Sequence, residues 1–168
     1  PTSSTSPVAE AEVVHLARSF WTALGQGNAS GATASTVSSS PPAEDVIGFV
    51  AAFAPGFAVE DCHPSAVNAA ECTVTTTDHD LLLIGLGPAA ERLLFHADGR
   101  FDIPSVVGSA AARLSLHGLN FHADEVRAAC PLTDDPPPAG LAIVGSPTAG
   151  CGEYLASLIP EYLQGTGA

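Results

Sequence analysis

The sequence predicts an α+β domain in which N-terminal helices lie on a curved antiparallel sheet and a disulfide-linked C-terminal extension follows. Three observations predict it. Apolar residues recur at helical spacing through the first 55 positions, β-branched and aromatic runs separated by turn residues take over between 57 and 103, and four cysteines form an even set. At 168 residues the chain suits one hydrophobic core, since a domain of about 150 residues buries roughly 70% of its unfolded surface. The expected organisation is a linker over 1–7, the α+β domain over 8–107, and an extension over 108–168 that ends in a helix and rests on the same domain.

Val13, Val14, Ala17, Phe20, Trp21 and Leu24 fall on one helical face. Ser6 is placed to cap this helix, Pro7 suits its first turn, and Gly25 and Gly27 end it. The next stretch, 28–40, is nearly all small residues and reads equally as a weak helix or a surface loop. Ser40-Pro41-Pro42 opens another helix whose apolar face is Val46, Ile47, Phe49, Val50 and Phe53, with Pro55-Gly56 as its stop.

Strands follow. Phe57-Ala58-Val59 leads towards Cys62, and the run from Cys72 to Thr77 alternates in the manner of a half-buried strand. The run from Leu81 to Leu86 suits a buried strand or the start of a short helix. Asp98-Gly99 between two apolar runs marks a hairpin, because glycine accepts positive φ. A two-residue loop would put His96 on the core face; a bulged three-residue loop pairs Phe95 with Phe101 and turns His96 outward. The second arrangement keeps both aromatics inside and is preferred. Beyond Val107, positions 110–117 suit helix or strand, 134–138 form an exposed connector, and a last helix runs from Gly152 to about Leu163, bent or ended by Pro160.

Eighteen acidic residues face five arginines, giving a net charge of −13, so the clustered cations that bind phosphate backbones are missing and nucleic acid is not an expected partner. An anionic membrane surface is disfavoured on the same ground. The longest apolar run is about six residues, far short of the roughly 20 that span a bilayer. Apolar residues make up 46% of the chain against 14% charged, the balance of a folding sequence. The opening Pro1-Thr2-Ser3-Ser4-Thr5-Ser6-Pro7 reads as a polar linker left after a targeting segment, and export makes disulfides natural. Cys62 and Cys72 flank one strand turn, and Cys130 and Cys151 flank the Pro-rich connector, so 62–72 and 130–151 are the expected pairs. No Cys-x-x-Cys or Cys-x-x-His spacing occurs, so zinc is not expected, and no residues are assigned to a metal or a cofactor.

Asp78-His79-Asp80 is the densest set of proton-transfer groups, but it falls where a strand should turn, and turns favour Asp. His96, within a strand and beside apolar neighbours, is the better single candidate for proton transfer, although a structural histidine is the simpler reading. His117, His122, Asp124 and Glu125 suggest a metal cluster at first, but a spacing of five misaligns the histidines on a helix, so a solvated acidic segment is preferred. Asn28-Ala29-Ser30 matches a glycosylation acceptor and is read as chance.

Helices followed by antiparallel strands, with Leu24-Gly25-Gln26-Gly27-Asn28, Glu71-Cys72-Thr73-Val74, Leu86-Gly87-Pro88 and Phe95-His96-Ala97-Asp98-Gly99-Arg100-Phe101 in that order, resemble the nuclear transport factor 2-like superfamily, especially its exported SnoaL-like bacterial members. The resemblance covers roughly 8–107. It implies a cone with an apolar interior that takes a small molecule, and in the family's enzymes a carboxylate or histidine inside the cone abstracts a proton beside a carbonyl. The chain departs from the family after Gly108, where a second cysteine pair appears and tryptophan is lacking. Its two tyrosines, Tyr154 and Tyr162, also lie outside the matched part.

The leading expectation is an exported, non-catalytic domain binding a small hydrophobic ligand or an envelope partner. Two rivals stand beside it. One is an isomerase, cyclase or hydratase using His96 with Asp78 or Asp80; the other is a subunit of an extracellular homo-oligomer or filament that self-associates through its N-terminal tail.

Overall fold

The computed structural model describes residues 7–133, 138–143 and 145–165. The expected cap Ser6 and the tail proposed for self-association lie outside these residues, as does most of the Pro-rich connector.

Three helices come first. Helix α1 spans Glu10–Gly25 and buries Val13, Ala17, Phe20, Trp21 and Leu24, the predicted face. Its N-cap is Ala9, with no side-chain cap, so it begins later than expected. The backbone N–H of Val8 instead donates to Asn68 Oδ1 at 2.7 Å, tying the entering chain to a turn of the sheet. The small-residue stretch resolves as a short helix, α2 (Ala29–Ala34), because the Asn28 side chain accepts from the Gly31 N–H at 2.9 Å. The glycosylation-like Asn28 is thus a helix cap. Helix α3 (Pro41–Ala51) is capped by Ser40 and carries Pro in its first turn, where the missing N–H costs nothing.

Strands β1 (Phe57–Pro64), β2 (Ala69–Thr76) and β3 (Ala90–His96) form an open antiparallel sheet in that order. One face of β2 and β3 is buried, with Ala70, Cys72, Val74, Leu93 and Phe95 beneath α1, while Glu71 and Thr73 point to the half-exposed side. At the edge, β1 carries a bulge between Glu60 and His63, with Asp61 at φ 48°, and Cys62 bonds Cys72 across it. Bulge, charge and Pro64 together blunt this edge against pairing with another chain. The hairpin adopts the bulged form: Phe95 bridges Phe101, and the His96 N–H donates to the Arg100 carbonyl at 2.9 Å. Both rings point inward, where Phe20 lies 4.7 Å from Phe95 and 5.1 Å from Phe101 between ring centres.

The run at 81–86 resolves as the end of a short helix, α4 (His79–Ile84), between β2 and β3, with Gly85 and Leu86 beyond it. After β3 the chain is helical, with α5 (Ser105–Phe121), α6 (Ala123–Ala129), α7 (Ala149–Ser157) and α8 (Ile159–Gly165). Helix α5 runs across residues 107 and 108, and Val106, Ala110, Leu114 and Leu155 join the same apolar core as Phe20 and Ile47. The described residues are α+β with a three-stranded sheet, and the final predicted helix divides at Leu158, two residues before Pro160. Helices α3 and α7 meet through small residues; a Cβ at Gly152 would collide with the Phe49 carbonyl oxygen, so only glycine permits this approach. Cys130, at the end of α6, bonds Cys151 of α7, so both expected disulfides are present.

Candidate functional site

The residues singled out for proton transfer are not brought together. Asp78 caps α4, its carboxylate accepting from the Leu81 N–H at 3.0 Å, and Asp80 lies exposed in that helix's first turn. His96 opposes Ala69 at the other end of β2, some seven residues from Thr76, or roughly 23 Å at the usual rise per strand residue. The bulged hairpin turns it to the outer face, where it lines a shallow groove with Asn68, Asp98 and Arg100. The nearby acid, Asp98, is already held by Arg100, whose Nε lies 2.9 Å from Oδ2. A pairing of His96 with Asp78 or Asp80 therefore has no geometric basis.

The interior between α1 and the sheet is filled by side chains. Trp21 is fully buried, edge-on to Phe57 at 5.7 Å and to Phe101 at 5.6 Å, with Phe20 and Phe95 completing the cluster. The Trp21 indole N–H has no hydrogen-bond partner among the described residues.

The surface of α5 is different. Its inward stripe, Val106, Ala110, Leu114 and Gly118, is buried, while its outward stripe, Ser109, Ala112, Arg113, Leu116 and Asn120, follows the same 3.6-residue period on the opposite side. With Phe121 and Tyr162 of α8, this stripe lines an open groove of about 590 Å³. A second groove of about 510 Å³ continues it through the shared Ser109 and Ala112 to Gly108, Gly140 and Leu141. Leu116 is 60% and Phe121 69% exposed, and both line the first groove. Arg113, like Arg18 and Arg127, makes no side-chain hydrogen bond or ion pair to any described residue, whereas Arg92 pairs with Glu71 and Arg100 with Asp98.

A polar cluster backs this groove. His117 Nε2 lies 2.6 Å from Glu161 Oε2, and His122 Nε2 lies 2.8 Å from the same oxygen. Asp124 and Glu125 are exposed, as expected of a solvated acidic segment, but the two histidines meet on one carboxylate. The five-residue spacing does not misalign them because α5 stops at Phe121, and His122, at φ −144° and ψ 46°, sits in the break before α6. Hydrogen bonds from His117 and then His122 hold the Glu161 carboxyl below the ordinary carboxylate range. Beyond His122, the Tyr154 hydroxyl donates to Glu125 at 3.0 Å; burial first, and this carboxylate second, push the phenol up to about 12. The cluster joins α5, α6, α7 and α8. Among the described residues, no three His, Cys, Asp or Glu side chains are arranged to hold a metal ion.

The α5 groove was not anticipated from the sequence. No sequence signal singles it out: Ile103 to Ala123 holds no Asp or Glu, but neither does the longer stretch from Val13 to Ala43. No protein-family model matches the chain, and comparison with curated proteins and with solved structures finds none that is similar.

Proposed function

We propose that this chain is an exported, disulfide-stapled binding domain that takes a small apolar ligand in the groove along α5. The observation that carries the reading is the pair Leu116 and Phe121, held exposed on a helix whose other face is fully used by the core. Both side chains line one groove, whose volume falls within the usual range for small-molecule sites, roughly 300 to 1,000 Å³. Two disulfides in 168 residues, with no free cysteine among the described residues, support an oxidising location outside the cytoplasm. None of the described helices is long and apolar enough to cross a membrane.

Membership of the nuclear transport factor 2-like superfamily remains part of this proposal, supported by the order of three helices, three antiparallel strands and the Phe95–Phe101 hairpin. The site moves, however, from the interior of a cone to the outside of α5, because aromatic rings occupy the space between helix and sheet. Titration with the neutral dye Nile red, followed by its fluorescence, tests the reading. Saturable binding of one dye per chain, lost in a Leu116→Ser/Phe121→Ser variant that keeps its circular dichroism, is expected. No binding to the native protein, or equal binding to both, would overturn it.

A further inference from the structure

We infer that the ligand of the α5 groove is a monomeric amphipathic anion, an apolar chain or ring system carrying one carboxylate-like head. The inference rests on the proposed binding site and adds the charge of its occupant. Formal charge across the molecule is −13, and acids occur on most of its elements, yet no Asp or Glu lines either of the two continuous grooves among the described residues. Arg113 lines the first of them, one helical turn from both Ser109, which the two grooves share, and Leu116. Its guanidinium has no hydrogen-bond or ion-pair partner among the described residues, and it presents a forked set of donors that matches a carboxylate.

Glu161, the sequence neighbour of Tyr162, is not itself a lining residue, and its carboxylate is engaged by His117, which lines the groove, and by His122. Asn120 and Ser109 add uncharged polar groups at the rim, while Leu116, Phe121 and Tyr162 supply the apolar floor. A cationic ligand would meet Arg113 without a counter-charge, and a neutral one would leave the guanidinium unused. The free monomer, not a membrane surface, is the source that fits: an anionic bilayer would be repelled by the rest of a strongly acidic chain, whereas a single small anion seated at Arg113 meets a lining without Asp or Glu, the nearest lining acids being Glu91 and Asp102 in the groove beyond Gly140.

Calorimetric titration of the intact, oxidised protein with decanoate, decanol and decyltrimethylammonium, all below their critical micelle concentrations, tests this. Decanoate is expected to bind about tenfold more tightly than decanol, a difference of about 1.4 kcal/mol. The cation is expected to bind worst. Arg113→Gln should erase the preference for decanoate without weakening decanol, while Arg127→Gln, on the exposed side of α6, should leave all three unchanged. Equal binding of decanoate and decanol, or unchanged preference in Arg113→Gln, would overturn the anionic head while leaving the groove in place. Failure of all three to bind would remove the groove itself. Co-sedimentation with anionic vesicles in the absence of decanoate binding would replace the monomer by a membrane surface and also defeat the inference.

Discussion

Tyr154 and Glu161 carry the clearest consequences for pH. The folded-state pKa of Tyr154, about 12, lies above its ordinary 10.0, so its stabilising contribution is complete below pH 10.0 and disappears as pH rises through about 12. In a Tyr162→Phe background the phenolate absorbance should appear near pH 12, and adding Glu125→Ala should bring it back towards 10.0; a transition near 10.0 in both would remove the Tyr154–Glu125 bond. Glu161 works in the opposite sense. Its carboxyl is held below the ordinary 4.5, so its contribution is present above that value and is lost as pH falls through the lowered one. Carbon-detected titration of Glu161 should show a return towards 4.5 in the His117→Ala/His122→Ala variant, and an unchanged value would mean the histidines do not hold it. Neither contact was legible in the sequence. The residues that meet are 29, 39 and 44 positions apart, and no local pattern announces a carboxylate placed by helix packing.

At the scale of elements, the Glu91 carboxylate on β3 accepts from both the backbone N–H and the hydroxyl of Ser105, at 2.5 and 2.8 Å. It thereby supplies the cap that Pro104 cannot, at the end of α5 where the helix dipole favours negative charge. Glu91→Ala should cost about 1 kcal/mol in urea denaturation, with an unchanged value showing that α5 needs no cap from the sheet. At the α3–α7 contact, Gly152→Val should cost roughly 1 to 3 kcal/mol through overpacking. Helices α1 and α3 were legible because each has one apolar face and a polar opposite one. The hairpin was legible because Asp98-Gly99 leaves few turns, and keeping Phe95 and Phe101 together selects among them. Helix α5 was not legible, since Leu116 and Phe121 on its outer side blur the amphipathic contrast with Leu114 and Val107 on its inner side. The same blur is what leaves an apolar face for the groove.

Across the whole molecule, one core joins the sheet layer to the C-terminal helices, and each half carries its own disulfide. Closing loops of 10 and 21 residues restricts the unfolded chain by roughly 3 kcal/mol each in the chain-entropy treatment. Reductant should therefore lower the urea midpoint in two separable steps, reproduced by Cys62→Ser/Cys72→Ser and Cys130→Ser/Cys151→Ser. A midpoint indifferent to reductant would mean the core alone holds the fold. The two pairings were legible from spacing, and so was the α+β class. The location of the candidate site was not, because a family cone directs attention to the interior, and only the packed rings of Phe20, Trp21, Phe95 and Phe101 show that space to be filled.

The most direct measurement is an amide and indole chemical-shift map of the oxidised protein titrated with decanoate. The single Trp21 indole N–H, buried between α1 and the sheet, reports the interior, while the Asn120 side-chain amide and the backbone amides of Leu116 and Phe121 report the groove. Shifts confined to α5 and Tyr162, with a stationary Trp21 signal, are the predicted result. A moving Trp21 signal with an unmoved α5 would place the ligand inside the helix–sheet layer and contradict the groove as the binding face.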